Sequence, residues 1–215
     1  MSSVMPPQND RFDSATPIVA VVLAGGRGLR LGGGDKALRL LAGRPLLTHV
    51  LARVVPQVDE VVLNANGDPA RFAAWGLPVV ADGIGAGPLA GVLAGLRWAQ
   101  LHRPRADVLV VPTDTPFLPA DLILRLRTER GPAPLACAAS GGRLHPVVAL
   151  WRVALADALA ASLRAGDRRV VAWMKGQGLA EVDFAIGPAG DPFANLNTPE
   201  DLAAAEALLR VPPRR

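Results

Sequence analysis

Only one of the 215 residues is cysteine, none is tyrosine, and aromatic side chains are limited to five phenylalanines and four tryptophans. Cys137 therefore has no partner for an internal disulfide, and its apolar setting in "PLACAAS" marks it as an inert core residue rather than a nucleophile or metal ligand. Charge of one sign is also in short supply. Twenty-three Lys and Arg against nineteen Asp and Glu give a net charge of +4, scattered along the chain with no polybasic block. With so few aromatics to stack on bases, nucleic acid is not an expected partner. Nor does any apolar run approach the roughly 20 residues that span a bilayer. The run "IVAVVLA" is preceded by Asp10 and Asp13 where a signal peptide would be positive, so a cytoplasmic protein without membrane contact is expected. Half of the residues are hydrophobic, enough to bury a full core without staples. The polar opening with Pro6 and Pro7 reads as a disordered leader over 1–16, ahead of a single domain over 17–211.

Within that domain, short apolar runs alternate with helix-length segments. "IVAVVLA" (18–24), "EVVLNAN" (60–66), "LPVVAD" (77–82) and "DVLVVPTD" (107–114) have the length and β-branched content of buried parallel strands. Between them "RPLLTHVLARVV", a short "DPARFAAW" and "GPLAGVLAGLRWAQL" read as helices. This alternation predicts βαβ units and a mostly parallel sheet covered by helices on both faces. Beyond Asp114 the pattern loosens into a helix, "PADLILRLRTER", then two strands, "APLACAAS" and "LHPVVALW", turned at Gly141 and Gly142, then the helix "RVALADALAASLRAG". This part is expected to add the far edge of the sheet, including an antiparallel strand. "NTPEDLAAAEALLR" closes the domain as a helix capped by Thr198.

The densest chemistry lies in "VVLAGGRGLRLGGGDKA" (21–37), with six glycines, two arginines and one lysine. It is not a P-loop: Asp35 separates the last glycine from Lys36, and Ala37 stands where the magnesium-binding hydroxyl belongs. Nor is it a dinucleotide fingerprint, because Leu31 replaces the third glycine and Asn64 replaces the acidic residue closing the next strand. A loop leaving the carboxyl end of a first parallel strand does sit where open α/β sheets bind ligands. There Gly25 and Gly26 admit close backbone approach, and Arg27, Arg30 and Lys36 supply charge suited to a triphosphate. A second reading gives these glycines to turns and these charges to solvent. Asp114, ending the apolar strand in "VLVVPTDTP", belongs on the same edge, either as a carboxylate for Mg2+ beside bound phosphates or as the cap of a following turn.

These residues resemble a known family. "LAGGRGLRLGGGDKAL" is similar to the signature of the molybdenum cofactor guanylyltransferases, and "NAN" (64–66), "GPLAG" (87–91), "DTPFLP" (114–119), "HPVVAL" (145–150), "RRVVAWM" (168–174) and "NLNTPEDL" (195–202) follow in that family's order. The resemblance covers almost everything from 18 to 210 and implies a Rossmann-like, three-layer αβα nucleotidyltransferase fold, mostly parallel with an antiparallel edge strand. It implies that GMP passes from GTP to the terminal phosphate of Mo-molybdopterin, with Mg2+ as cofactor and pyrophosphate as product. GTP would be held by Leu23, Ala24, Gly25, Gly26, Lys36, Asn64, Asp82 and Asp114, with Asp114 also the metal ligand. Lys36, Asp114 and Arg30 would carry the catalysis by offsetting phosphate charge. Asn64 or Asp82 would read the guanine donors. Asn195 and Asn197 are candidates for the pterin side, or else order the turn before the last helix. His145, Gly87, Gly91, Arg168 and Arg169 lie in shared motifs and also have plain structural readings. The resemblance further implies a monomer or weak oligomer with transient contacts to molybdoenzyme chaperones or other cofactor-biosynthesis proteins. Its rivals are the cytidylyltransferases of the same cofactor, whose Ala-Ala-Gly loop and Met-Pro after the aspartate differ from Ala24-Gly25-Gly26 and Thr115-Pro116, the sugar-phosphate nucleotidyltransferases, and a catalytically silent nucleotide-binding module.

Overall fold

The computed structural model of the chain describes residues 16–25, 35–83, 87–166 and 169–210. A seven-stranded sheet forms its centre. Its first strand, β1 (Ile18–Leu23), is flanked by β4 (Glu60–Asn64) and β6 (Asp107–Pro112), both parallel to it, and β5 (Val79–Val80) extends the sheet beyond β4. The short strands β2 (Leu40–Leu41) and β3 (Arg44–Pro45) make a separate antiparallel pair. On the other side stand β7 (Leu135–Ser140), β8 (Arg143–Arg152) and β9 (Leu179–Asp183), giving the order β5-β4-β1-β6-β8-β7-β9. β8 runs antiparallel to both β6 and β7, and β9 is parallel to β7. The sheet is thus mostly parallel, as expected, with its one antiparallel strand third from the far edge.

β1 and, beyond Asp107, β6 are apolar because both of their faces are covered. Ala20 and Val22 of β1 pack on one side with α1 (Leu46–Val54) and α3 (Leu122–Arg130), through Leu47, Val50, Leu122 and Leu126. Val21 packs on the other side with α2 (Pro88–His102), α4 (Ala156–Arg164) and α5 (Val170–Gly176), through Leu96, Leu159 and Met174. The last helix, α6 (Pro199–Arg210), docks by Ala205 against Leu41, Leu46 and Leu196. Its start is the expected capping arrangement: the Asp201 N–H donates to Thr198 Oγ1 at 3.1 Å and the Thr198 N–H to Asp201 Oδ2 at 2.8 Å. Among the described residues no helix is long and apolar enough to cross a membrane.

Some elements are shorter or of another kind than their patterns predict. "DPARFAAW" forms a 3-10 helix, Pro69–Trp75, stopped by Gly76 in the left-handed region at φ 62°. "LPVVAD" shrinks to the two residues of β5, an outer strand paired on one side only. α5 and β9 were not expected from periodicity at all. β9 alternates as a strand should, with only Val182 buried among its five residues, so its apolar signal is weak.

The helix closest to the site is α2. A Cβ added at Gly95 would lie 2.4 Å from Val21 Cγ2, and one at Gly91 would lie 2.2 Å from Asn64 Oδ1. Two glycines four residues apart therefore let this helix settle directly on β1 and on the end of β4.

Candidate functional site

The carboxyl ends of β1, β4 and β6 meet at one edge of the sheet, where ligands gather in open α/β folds. Their last residues are tied together by main-chain bonds. The Ala24 N–H donates to the Asn64 carbonyl at 2.8 Å, and the Thr113 N–H to the Leu23 carbonyl at 3.3 Å. A cavity of about 430 Å³ opens there, walled by Leu23, Gly25, Lys36, Asn64, Asn66, Asp82, Gly87, Gly91, Asp114 and Asn195 among others. Six of the residues expected to hold a nucleotide, Leu23, Gly25, Lys36, Asn64, Asp82 and Asp114, are thereby brought together from four parts of the chain. Ala24 is fully buried behind this wall, with its N–H already committed. Gly26, Arg27, Arg30 and Arg168 lie outside the described residues.

Lys36 begins a 3-10 turn, Lys36–Leu38, that is capped by Asp35, whose Oδ1 accepts from the Ala37 N–H at 3.1 Å. The lysine ammonium reaches across to Asp114 Oδ2 at 2.6 Å and also donates to Asn197 Oδ1. Both charged side chains are largely sheltered, at 12% and 19% exposure, so the pair is held more firmly than a surface ion pair. The Asp114 carbonyl accepts from the Leu196 N–H at 2.9 Å, docking the "NLNTP" segment onto the end of β6. Asn197 thus touches Lys36, while Asn195 lines the cavity.

The second carboxylate oxygen of Asp114, Oδ1, is shut from solvent and has no hydrogen-bond partner. A buried carboxylate oxygen left so is costly unless a ligand uses it. It fits a hard divalent cation of the Mg2+ type, which takes one or two protein carboxylates and fills its shell with phosphate oxygens and water. The described residues contain no cluster of three or more His, Cys, Asp or Glu that could hold a metal ion.

Across the cavity the two candidates for base recognition are placed differently. Asn64 is 3% exposed, its amide nitrogen donates to the Val80 carbonyl at 3.1 Å, and its Oδ1 abuts Gly91, so it forms the floor. Asp82 is half-buried on the wall and is gripped by Asn66, whose Nδ2 donates to Asp82 Oδ1 at 2.9 Å and whose Oδ1 accepts from the Asp82 N–H at 3.0 Å. Asn66 is a site residue that the sequence reading passed over. Its signal was present in "NAN", since residues two apart at the end of a strand share a side.

His145 stands outside the cavity wall, 8% exposed in β8. Ser140 Oγ donates to Asp191 Oδ1 at 2.8 Å and lies 2.7 Å from His145 Nε2. Because the serine's only hydrogen goes to the carboxylate, His145 Nε2–H must be the donor to Ser140 Oγ. A nucleophilic triad needs histidine in the middle, and here serine is. The set instead anchors the segment from Asp191 to Asn197, with Asp191 Oδ1 also accepting from the Phe193 N–H at 2.9 Å. Burial holds the His145 imidazolium pKa below the usual value, partly opposed by Asp191 and aided by Arg143. Cys137 is fully buried, and burial pushes its thiol up to about 12, in keeping with an inert core role.

Comparison with known proteins agrees with this geometry. The MobA-like NTP transferase domain family matches residues 20–181. A molybdenum cofactor guanylyltransferase of Rhodopseudomonas palustris (strain BisB5) is 54% identical, over 90% of this chain and 94% of its own length. One of Cereibacter sphaeroides is 53% identical, over 90% and 97%. Among solved structures, molybdopterin-guanine dinucleotide biosynthesis protein A of Archaeoglobus fulgidus superposes with a TM-score of 0.68 at 22% identity, over 89% of this chain and 98% of that one. 4-Diphosphocytidyl-2C-methyl-D-erythritol synthase of Anaerococcus prevotii reaches 0.72 at 15% identity, over 93% and 99%. At such identities the two structures show the fold alone.

Proposed function

This chain belongs to the MobA-like NTP transferase family, among its molybdenum cofactor guanylyltransferases, and from that premise we propose that it transfers GMP from GTP to the terminal phosphate of Mo-molybdopterin. A phosphate oxygen of the pterin attacks the α-phosphorus of GTP. The bond from that phosphorus to the oxygen bridging to the β-phosphate breaks, and pyrophosphate leaves. The observation that carries this reading is the meeting of Lys36 and Asp114 at the sheet edge, with one carboxylate oxygen buried and unpartnered beside a cavity of about 430 Å³.

Each residue then has a task. Asp114 would hold Mg2+ through Oδ1, and the ion, when bound, neutralises charge on the triphosphate. Lys36 is directed along the same wall by Asp114 and Asn197, and its ammonium meets the phosphates. Transfer of this kind needs alignment and charge compensation rather than a covalent enzyme intermediate. Asp82, braced by Asn66, offers a carboxylate to the adjacent N1–H and N2 amino donors of guanine, which cytosine lacks. Asn64 and Gly25 form the floor and backbone edge beneath the nucleotide. Asn195, on the wall of the same cavity, would face the second substrate, and Asn197 would join that side to the Lys36 it touches. The product cofactor passes to molybdoenzymes in the cytoplasm, through transient contacts with them or their chaperones.

The test is Mg2+-dependent pyrophosphate release with Mo-molybdopterin, comparing GTP, CTP, ATP and UTP at equal concentration. Release favouring GTP and abolished by Asp114→Ala supports the proposal. A preference for CTP overturns the role given to Asp82, and no release with any nucleotide overturns transfer itself.

A further inference from the structure

One side chain outside the cavity wall is bonded toward both of its ends. Arg71, in the 3-10 helix Pro69–Trp75, donates from Nε to Asp35 Oδ2 at 2.7 Å, from Nη2 to the Asn66 carbonyl at 2.6 Å, and from Nη1 to the Asp68 carbonyl. Gly67, at φ 83°, makes the turn between the two carbonyls. The guanidinium also lies 4.6 Å from the ring centroid of buried Phe72, so a cation–π contact adds to its hydrogen bonds.

What Arg71 holds matters more than where it sits. Asp35 caps the turn that begins with Lys36. Asn66 holds Asp82 by two hydrogen bonds. An unbroken bonded chain therefore runs from the Lys36 turn through Asp35, Arg71 and Asn66 to Asp82. With the nucleotide placed as proposed above, that chain joins the phosphate end of the site to the base end. We propose that Arg71 is a positioning residue that couples the two ends of the nucleotide site, so that selection of the base depends on it. This inference rests on the GTP reading of the cavity.

The coupling follows from the shape of the guanidinium. Asp35 and Asn66 are remote in sequence, and three acceptors in different directions need a planar fork; a lysine ammonium is a single point charge on a flexible stem. The Arg71 to Asp35 pair is 25% and 18% exposed, partly sheltered like the pair of Lys36 and Asp114, so it adds to local stability as well as to alignment.

The experiment compares wild type, Arg71→Met, Arg71→Lys and, as a remote control, Arg97→Met, which breaks exposed bonds to Asp157 and Gln100. In the pyrophosphate-release assay Arg71→Met should raise the KM for GTP about tenfold, narrow the preference for GTP over CTP, and not be rescued by lysine. The melting temperature should fall modestly, and Arg97→Met should match wild type. A wild type that uses GTP alongside an Arg71→Met variant with unchanged KM and selectivity overturns the inference and leaves the function standing. So does a variant that loses only thermal stability. If wild type transfers no nucleotide, the GTP reading fails by itself, and the coupling is judged on hydrogen exchange in the free protein. Peptides containing the Ala37 and Asp82 amides, bonded to Asp35 and Asn66, should then lose protection together in Arg71→Met. Loss at only one of them, or at neither, overturns the coupling.

Discussion

Replacing Gly91 by alanine should damage both fold and site, whereas the same change one turn along, at Gly95, should damage only the fold. A Cβ at Gly91 falls 2.2 Å from Asn64 Oδ1 and 2.8 Å from Leu23 Cδ2, and one at Gly95 falls 2.4 Å from Val21 Cγ2. Alanine in a helix interior gains about 1 kcal/mol over glycine. Overpacking a close contact costs about 1–3 kcal/mol, which outweighs or cancels that gain at either position. At Gly91 the methyl also displaces the Asn64 amide from the Val80 carbonyl, and breaking that sheltered hydrogen bond adds about 1–3 kcal/mol. The net loss is about 2–3 kcal/mol for Gly91→Ala and about 1 kcal/mol for Gly95→Ala. For a domain of this size that is a fall in melting temperature of about 5–10 °C against about 2–4 °C. Thermal melts measure the first difference. Steady-state kinetics measure the second: Gly91→Ala moves two residues of the cavity wall and should raise the KM for GTP, while Gly95→Ala should keep it. Refutation would be a Gly91→Ala protein that melts with wild type, or one with an unaltered KM, because the close contact at Asn64 would then not be shaping the site.

Lys36→Met should lower kcat about 10²–10³-fold, the usual cost of losing one preorganised charge partner, with Asp114 left without its cation; single-turnover rates with saturating GTP check it. Asp107→Ala should be among the most destabilising single changes, by about 3–5 kcal/mol, because it strands the Arg130 guanidinium in the core, where only Nη2 has a partner, to Asp107 Oδ2. Urea unfolding reads it, and activity per folded molecule should be unchanged. The melting temperature should fall as pH drops below about 6.5, the ordinary histidine value. His145 has its pKa depressed in the fold, so it contributes stability that is present above that value and is lost as pH falls toward its folded pKa, where the buried ring takes up a proton. His145→Gln should flatten this limb, and an unchanged slope would reject the assignment.

How much of this was legible in the sequence depends on how local the signal is. The parallel strands β1, β4 and β6 announced themselves as apolar runs because both of their faces are covered, and the capped start of α6 was readable because Thr198 and Asp201 bond within one turn. Lys36 and Asp114 could be placed on one edge from topology, since each follows a parallel strand at its carboxyl end. Their direct contact, 78 residues apart in sequence, could not. Nor could the arginine clamp. Nothing in "DPARFAAW" distinguishes Arg71 from a solvated surface arginine, because two of its three partners, Asp35 and Asn66, lie outside that segment. β9 was missed for a related reason: as an outer strand with one buried residue, it has no hydrophobic run to reveal it.

Three of the rules that the chain breaks are broken at one place. Helix interiors avoid glycine, yet α2 carries Gly91 where alanine would be worth about 1 kcal/mol more in an isolated helix. Cores avoid amide side chains, yet Asn64 is buried at the end of β4 against that same glycine. Carboxylates shut from water are normally satisfied at both oxygens, yet Asp114 keeps one without a partner. A sequence selected for stability alone would have removed all three. Glycine makes room for asparagine, asparagine forms the cavity floor, and the unpartnered oxygen belongs to the carboxylate that pairs with the lysine proposed to meet the phosphates. On the proposed reading each local cost is tied to a demand of the same ligand, the pattern expected of a site preorganised for transfer rather than of an imperfect core.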